Sequence, residues 1–198
     1  MTEDSRYSLR DSLRQSRQAL PPETHRATNQ ALSELAQQQD FYTKAQHIAF
    51  YHAIDGEINP DPLMDAALAA GKQCYLPVIS GENSDMLSFA PFDRDTKLIE
   101  NQWGILEPPQ PDEFIPPTHF DLVLVPLVGF NKNCFRLGMG KGFYDRTFSF
   151  KIFNRSSRPL LVGLAHTNQL VDSFRTESWD VRLDAVITAE KIYRPDTA

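Results

Sequence analysis

The chain has 198 residues, 41% hydrophobic and 23% charged, which is ordinary for a globular protein and predicts one domain, residues 1–198. Its formal net charge of −6 argues against a nucleic-acid or membrane-surface binder, so a phosphate site has to be a local cluster of cations and backbone N–H groups. Cys74 and Cys134 form neither a disulfide framework nor a zinc pattern, which favours a reducing compartment. With no signal peptide and no apolar run of membrane-spanning length, the expected location is the cytoplasm.

Helical and strand-like segments follow one another along the chain. Helical periodicity covers residues 5–20, ends at Pro21 and Pro22, and resumes over residues 23–39. Another helix is predicted over residues 60–70, with Gly71 as its C-cap. Short apolar runs predict strands at 47–51, 74–79, 86–92, 121–126, 160–164 and 185–188. The proline-rich segment 108–117 is predicted to be a loop.

The strand-like segments are apolar almost throughout, which is typical of strands that are buried on both faces. Their alternation with helices predicts a three-layer α/β fold, with a mostly parallel or mixed central sheet and helices on both faces, Rossmann-like in architecture. In such sheets ligands bind beyond the carboxyl ends of the strands. The loop that follows Pro126 is therefore the first place to look for a functional site.

That loop contains three glycines at alternating positions, Gly138, Gly140 and Gly142. Glycine allows backbone N–H groups to approach an anion closely, and a helix predicted to begin near Gly142 would add partial positive charge. Arg136 and Lys141 supply full positive charges. The loop has neither the Gly-Lys-Ser/Thr ending of a Walker motif nor the dinucleotide fingerprint.

Asp145 follows the glycines in the first turn of that predicted helix, where a carboxylate could hold a Mg²⁺ ion that bridges phosphate oxygens. Spacing alone leaves two interpretations open. One is a phosphate site; the other is a tight strand-to-helix turn in which Asp145 only caps the helix.

The stretch from Asp121 to Asp145 resembles the signature of the 5-formyltetrahydrofolate cyclo-ligase family, whose core is Arg-Leu-Gly-x-Gly-x-Gly-Phe/Tyr-Tyr-Asp. The matching residues are Arg136, Leu137, Gly138, Gly140, Gly142, Phe143, Tyr144 and Asp145. The resemblance covers nearly the whole chain. Further segments in the family's order are Leu9-Arg10 with Arg14 and Arg17, Asp55-Gly56-Glu57-Ile58, Gly71-Lys72, Trp103-Gly104-Ile105 with Glu107-Pro108, and Trp179-Asp180-Val181.

The resemblance implies a set of site residues. It implies ATP contacts from Arg6, Arg10, Arg136, Leu137, Gly138, Met139, Gly140, Lys141, Gly142, Phe143 and Tyr144. It implies folate contacts from His52, Glu57, Trp103, Met139, Gly140, Lys141, Gly142 and Phe143. Asp145 and Asp180 would contact Mg²⁺, and Lys141, Arg136 and Tyr144 would act in catalysis. The family usually has lysine where this chain has Arg6, so the charge is kept but its shape differs.

Each of these residues also has a plainer interpretation when spacing alone is considered. Arg6 and Arg10 lie four apart and could belong to a solvated helix face. Glu57 could be a surface acid, and Trp103 and Phe143 could fill the core. His166, which follows the strand-like segment 160–164, is more often structural than catalytic in such a position.

The activity that the resemblance implies is Mg²⁺- and ATP-dependent cyclisation of 5-formyltetrahydrofolate to 5,10-methenyltetrahydrofolate, through a phosphorylated formyl (imidate) intermediate. The expected partners are these small molecules and neither nucleic acid nor a membrane, and a monomer is expected. Two other classes stay open. One is another ATP-dependent small-molecule enzyme, such as a kinase, on the same phosphate loop; the other is a catalytically silent folate-binding relative.

Overall fold

The computed structural model describes residues 3–79, 85–101, 104–110, 113, 115–155 and 158–196. The α-helices are α1 Glu3–Gln18, α2 Pro22–Gln37, α3 Asp40–Thr43, α4 Asp61–Ala69 and α5 Phe143–Thr147. Short 3₁₀ helices are Pro117–His119, Ser149–Ile152 and Thr167–Gln169. The strands are β1 His47–Ala49, β2 Gln73–Val78, β3 Ser88–Phe92, β4 Ile99–Glu100, β5 Leu106–Glu107, β6 Leu122–Val125, β7 Gly129–Phe130, β8 Arg136–Leu137, β9 Leu160–Leu164, β10 Ala185–Ile187 and β11 Ile192–Tyr193. None of the helices in the described part is long and apolar enough to cross a bilayer.

A seven-stranded sheet in the order β11-β10-β9-β6-β1-β2-β3 forms the centre of the fold. The inner strands β10, β9, β6, β1 and β2 run parallel to one another. The edge strands β3 and β11 pair antiparallel with β2 and β10. The prediction of an α/β fold with a mostly parallel or mixed sheet is therefore confirmed.

The two faces of the sheet are covered differently. On one face α2, α3 and α4 bury Leu32, Tyr42 and Leu63 against the sheet. On the other face the covering layer is α5, the 3₁₀ helix Ser149–Ile152 and irregular segments, which pack Phe148 and Leu183 against it. This second layer contains less regular helix than the alternating pattern of the sequence suggests.

Helix α1 packs separately from these two layers and lies beside the carboxyl end of β6. Its Leu13 joins Val128, Leu137 and Phe174 in a small apolar cluster. A Cβ atom on Gly129 would lie 2.5 Å from Leu13 Cδ1, so the absence of a side chain lets α1 approach the chain just beyond β6. This approach places the basic residues of α1 beside the loop that follows β8.

Gly163 in β9 provides a test of the packing of the core against Leu127 and Leu183. A Cβ atom there would lie 2.6 Å from Leu127 Cδ2 and 2.8 Å from Leu183 Cδ1. We expect Gly163→Ala to lower the free energy of unfolding by about 1–3 kcal/mol, because the core has to shift to admit a methyl group. Denaturant titration measures this. Gly138→Ala, where a Cβ atom would meet nothing within 4 Å, is the control and should change stability by less than about 0.5 kcal/mol.

Candidate active site

A cavity of about 1090 Å³ opens beyond the carboxyl ends of β1, β2 and β6, as expected for a parallel sheet. Residues that follow β1 line one side of it, and Pro126 and Leu127 after β6 line its base. The loop between β8 and α5 and the first turns of α1 close the opposite side. The predicted site residues that line this cavity are Arg6, Arg10, His52, Glu57, Arg136, Gly138, Met139, Gly140, Lys141, Gly142, Phe143, Tyr144, Asp145 and Asp180.

The glycine loop forms one end of the cavity. Gly140 and Gly142 have φ values of 96° and 70°, a region that residues with a Cβ atom rarely adopt, so the loop's shape depends on glycine. The helix that begins after Gly142 is α5, which has only 5 residues. Its dipole is correspondingly small, and a phosphate at this loop has to rely on backbone N–H groups and nearby side-chain cations.

Cations from α1 lie against the glycine loop. Arg10 Nε donates a hydrogen bond to the Gly138 carbonyl oxygen at 2.9 Å, and Arg6 Nη1 lies 3.3 Å from Asp180 Oδ2. Burial and the neighbouring charge of Arg6 lower the pKa of Arg10. Arg6 Nε is buried and has no acceptor among the described residues. Two like charges and an unpaired buried donor at a cavity wall favour an anionic ligand.

Asp145 and Asp180 lie close together beside these cations. Their separation of 35 positions in the sequence does not suggest this proximity. Asp145 Oδ1 forms an ion pair with Arg136 Nη2 at 2.8 Å and accepts a hydrogen bond from the backbone N–H of Val181 at 3.0 Å. Asp180 Oδ2 accepts one from the backbone N–H of Glu177 at 2.8 Å. Within the described part of the chain, the second oxygen of each carboxylate accepts no hydrogen bond and stays free for a ligand.

This donor set fits Mg²⁺. The ion prefers oxygen ligands and is commonly held by one or two carboxylates, with water and substrate phosphates completing its coordination. Among the described residues no group of three or more His, Cys, Asp and Glu side chains is placed to enclose a metal by itself. Asp145 and Asp180 beside the glycine loop fit such a shared site, whereas a helix cap alone would not require the second carboxylate.

The side chain of Arg136 is more buried than is usual for an arginine that binds a phosphate group. Its side chain is 5% exposed, and besides its ion pair with Asp145 it donates a hydrogen bond from Nη1 to the Val181 carbonyl oxygen at 3.0 Å. Its guanidinium carbon also lies 5.9 Å from the centre of the Tyr144 ring. Arg136 thus orients Asp145 and the segment that carries Asp180 and Val181. A direct contact with ATP stays a prediction.

The other end of the cavity contains a buried carboxyl group, Glu57, which is 8% exposed and so is not a surface acid. Its Oε2 accepts a hydrogen bond from the backbone N–H of Ile54 at 3.2 Å. Burial raises the pKa of Glu57 to about 7, against the opposing effects of that N–H and of Arg17. Burial, and then the charge of Glu57, raise the pKa of Tyr144, so the phenol stays protonated at neutral pH. His52 lines the same end.

Three of the residues considered from the sequence do not lie at this cavity or cannot be placed there. Leu137 is 0% exposed and its side chain packs with Leu13 and Phe174, so only its backbone could take part in binding. Trp103 lies outside the described residues. His166 is buried away from the cavity with its ring 4.8 Å from that of His25, and burial lowers its pKa to about 4, which agrees with a structural role.

Comparison with known proteins agrees with this arrangement. A model of the 5-formyltetrahydrofolate cyclo-ligase family matches residues 2–189. The chain belongs to this family. It is 34% identical over 182 residues to the 5-formyltetrahydrofolate cyclo-ligase of Escherichia coli, covering 91% of this chain and 98% of that one. It is 35% identical over 184 residues to the Haemophilus influenzae protein of the same name, covering 92% and 97%.

Solved structures extend the comparison to the fold. The 5,10-methenyltetrahydrofolate synthetase of Aquifex aeolicus superposes with a TM-score of 0.82 at 26% identity, over 98% of this chain and 94% of that one. The synthetase of Mycoplasma pneumoniae gives a TM-score of 0.71 at 26% identity, over 93% and 98%. As a cyclo-ligase, the chain is an enzyme that belongs to the ligases.

Two groups of cavity residues in this cyclo-ligase were not predicted from the sequence as site residues. The first is an apolar wall between the polar ends, formed by Leu76, Pro77, Ile79, Leu87, Ile105 and Leu106. These residues come from several segments, and nothing in their local pattern distinguishes them from core residues. The second is Trp179, which is 63% exposed beside Asp180 and lines the cavity. The signal available in the sequence was a tryptophan directly before the carboxylate of Asp180.

Proposed function

We propose that this cyclo-ligase uses Mg²⁺-ATP to convert 5-formyltetrahydrofolate into 5,10-methenyltetrahydrofolate, releasing ADP and phosphate. The proposal rests mainly on one observation. A single cavity has an anion-binding end, formed by Arg6, Arg10 and the glycine loop, and an opposite end with the buried carboxyl group of Glu57. A folate presents ring N–H donors and an apolar ring body, which suit Glu57 and the apolar wall. We further propose that it acts as a cytoplasmic monomer, because one chain supplies the whole described cavity and both cysteines are free.

The chemistry requires an activated leaving group, because an amide oxygen leaves poorly. In the proposed first step the formyl oxygen on N5 attacks the γ-phosphorus of ATP. A bond forms between that oxygen and phosphorus, the bond from phosphorus to the β–γ bridging oxygen breaks, and ADP leaves. N10 then attacks the activated carbon and loses its proton, and the former formyl oxygen leaves as part of inorganic phosphate. No nucleophilic side chain is needed for either step.

The residues at the anion-binding end suit such a phosphoryl transfer, which depends mainly on positioning and charge neutralisation. Arg6, Arg10 and Lys141 would neutralise charge on the phosphates. Asp145 and Asp180 would hold the Mg²⁺ ion, which when bound neutralises further charge on the phosphate oxygens. The phenol of Tyr144 stays protonated, so it is available as a hydrogen-bond donor at the junction of the two ends.

The purified protein with 5-formyltetrahydrofolate, ATP and Mg²⁺ tests this proposal, because the methenyl product absorbs in the near ultraviolet and the substrate does not. We expect product only when both ATP and a divalent metal are present. Enzymatic product formation without ATP would contradict the mechanism. ADP release without the methenyl product would favour a kinase, and folate binding with neither product would indicate a silent relative.

Lys141 is exposed in the glycine loop and is the residue on which we expect a selective effect on ATP. Lys141→Ala should raise the KM for ATP and lower kcat by about 10²-fold, because an ammonium group near the transferring phosphoryl group offsets shifting charge. Folate affinity measured without ATP should change little. A large loss of folate affinity at constant ATP KM would mean that Lys141 serves the other substrate.

Glu57→Gln should lower the affinity for 5-formyltetrahydrofolate and spare that for ATP. An ionised carboxylate accepts two N–H bonds from a planar ring, whereas glutamine offers one acceptor and opposes the second N–H with its own donor. The loss of about 1–3 kcal/mol corresponds to roughly one to two decades in Kd. Separate calorimetric titrations of each ligand measure it, and unchanged folate affinity would remove Glu57 from the binding site.

A further inference from the structure

Arg17 is a fully buried charge at the end of α1, with a side chain that is 0% exposed. A buried guanidinium is costly unless its donors are paired, and those of Arg17 are. Nε donates to the Asp55 carbonyl oxygen at 2.9 Å, and Nη2 donates to Asp55 Oδ2 at 3.1 Å. Nη1 donates to the Leu127 carbonyl oxygen at 3.2 Å, which connects α1 to the base of the cavity. Arg17 therefore joins three parts of the site.

Arg17 binds the turn at Asp55 and Gly56, which directly precedes Glu57. Asp55 and Gly56 have φ values of 56° and 74°, so two consecutive residues adopt the left-handed region, which residues other than glycine adopt uncommonly, Asp more readily than most. The Glu57 backbone N–H donates to the Ile54 carbonyl oxygen at 3.0 Å, which closes the turn. Because Arg17 holds both the backbone and the side chain of Asp55, it stabilises this conformation and with it the direction of the Glu57 side chain.

The distance between Arg17 and Glu57 itself is informative. Nη1 lies 3.9 Å from Glu57 Oε1, within the range of a charge–charge interaction and beyond that of a hydrogen bond. The guanidinium therefore favours the ionised carboxylate without occupying that oxygen. Among the described residues no hydrogen-bond donor reaches Oε1, which leaves its lone pairs for a ligand, while Oε2 is oriented by the Ile54 N–H.

We propose that Arg17 is a positioning residue for the folate substrate, which favours the ionised form of Glu57 and orients its carboxylate as a double acceptor. The inference rests on the proposed function, since it concerns how the folate end of the same cavity recognises a planar ring with N–H donors. Arg6 and Arg10 on the same helix face the phosphate end. Helix α1 thus supplies groups to both ends of the cavity.

The charge balance around Glu57 shows why Arg17 matters near neutral pH. The groups that act on or face Glu57 are Arg17, Asp55, Tyr51 and Tyr144. Burial raises the pKa of both tyrosines, so they stay neutral. Burial acts to raise the pKa of Asp55, but the hydrogen bond from Arg14 and the charge of Arg17 lower it, so it stays ionised. Arg17 is then the one cation among these groups that opposes protonation of Glu57.

The experiment compares the wild type with Arg17→Gln and with Arg14→Gln as the matched control. Arg14 lies on the same helix and its Nε contacts the same Asp55 Oδ2 at 2.7 Å, but among the described residues it makes no ion pair with Glu57. Two quantities are measured between pH 5 and 9. One is the titration midpoint of the Glu57 side-chain carboxyl, measured by ¹³C NMR without ligand. The Glu57 signal is identified because it is absent from the spectrum of Glu57→Gln. The other is the Kd for 5-formyltetrahydrofolate without ATP.

We expect wild-type folate affinity to rise with pH and to level off above a midpoint near 7, where burial places the pKa of Glu57. Arg17→Gln should move both midpoints upward by about one pH unit or more, since an opposite charge this close typically lowers a carboxyl pKa by 1–3 units. At neutral pH this corresponds to a loss of roughly fivefold or more in folate affinity, and the loss should shrink toward pH 9. Arg14→Gln should leave both midpoints in place, and ATP affinity should change in neither variant.

If Arg17→Gln does not fold, Arg17→Lys replaces it. Lysine keeps the charge but cannot bridge Asp55 and Leu127 as a planar fork, so the midpoints should rise by a smaller amount in the same direction. An unshifted Glu57 titration in the folded variant, or an equal loss of folate affinity at every pH, would overturn the inference and leave the proposed function intact. Failure of the wild type to bind 5-formyltetrahydrofolate at any pH would instead overturn the proposed function.

Discussion

Asp145→Asn is expected to lower turnover by about 10²-fold or more while the protein stays folded. The structure explains why this substitution is selective. Oδ1 of Asp145 forms an ion pair with Arg136 and accepts a hydrogen bond from the Val181 backbone N–H, and the amide oxygen of asparagine can keep both contacts. Oδ2, which accepts no hydrogen bond from the described residues, becomes an NH₂ group, which cannot bind a cation. Metal-dependent turnover should therefore fail, whereas the contacts that orient the side chain largely persist.

The measurements are kcat, the concentration of Mg²⁺ that gives half-maximal rate, and the free energy of unfolding. Asp184→Asn is the control, because Asp184 pairs with Lys151 at 3.1 Å and accepts the Leu161 backbone N–H at 2.7 Å, but does not line the cavity. It should lose a similar amount of stability and keep its turnover. Wild-type turnover in Asp145→Asn would show that Asp145 only caps α5, the plainer of the two interpretations that its sequence position allowed.

The central sheet was largely predictable because its strands carry a strong local signal. The strands β2, β6 and β9 are 4 to 6 residues long, formed mostly by continuous apolar runs, and buried along most of their length. The strands that the sequence did not predict, among them β4, β5, β7 and β8, have 2 residues each. Two residues show no periodicity, so their pairing is decided by tertiary contacts rather than by local preference.

The same distinction, between local and long-range features, applies to the candidate site. Gly138 to Asp145 is one continuous segment, and its resemblance to a known signature identified it directly. The pairing of Arg6 with Asp180 spans 174 positions, and that of Asp145 with Val181 spans 36. The first contact depends on where α1 docks and the second on where the segment around Val181 packs, and no local pattern specifies either. The burial of Arg17 was equally hidden, since an arginine on an amphipathic helix is usually exposed.

Arg136→Met is expected to lower the free energy of unfolding by about 3 kcal/mol and to reduce turnover strongly as well. Methionine fills much of the same space but removes the partner of the Asp145 carboxylate and the donor to the Val181 carbonyl oxygen. The side chain of Asp145 is 21% exposed, so water compensates only part of the loss. Without Arg136, Asp145 and the segment that carries Asp180 lose their common partner, and the proposed metal site should become disordered.

Arg94→Met is the matched control for this change. Arg94 pairs with Asp65 at 2.6 Å, but the two side chains are 65% and 49% exposed, so the same substitution should cost less than about 1 kcal/mol. Denaturant unfolding of both variants, together with the ATP KM and the Mg²⁺ dependence of Arg136→Met, separates two roles of Arg136.

If Arg136 mainly contacts ATP, the KM for ATP will rise while stability stays near that of the wild type. If it mainly supports the carboxylates, stability and Mg²⁺ affinity will fall together, and adding Asp145→Asn to Arg136→Met will cost little further turnover, because both changes disrupt one unit.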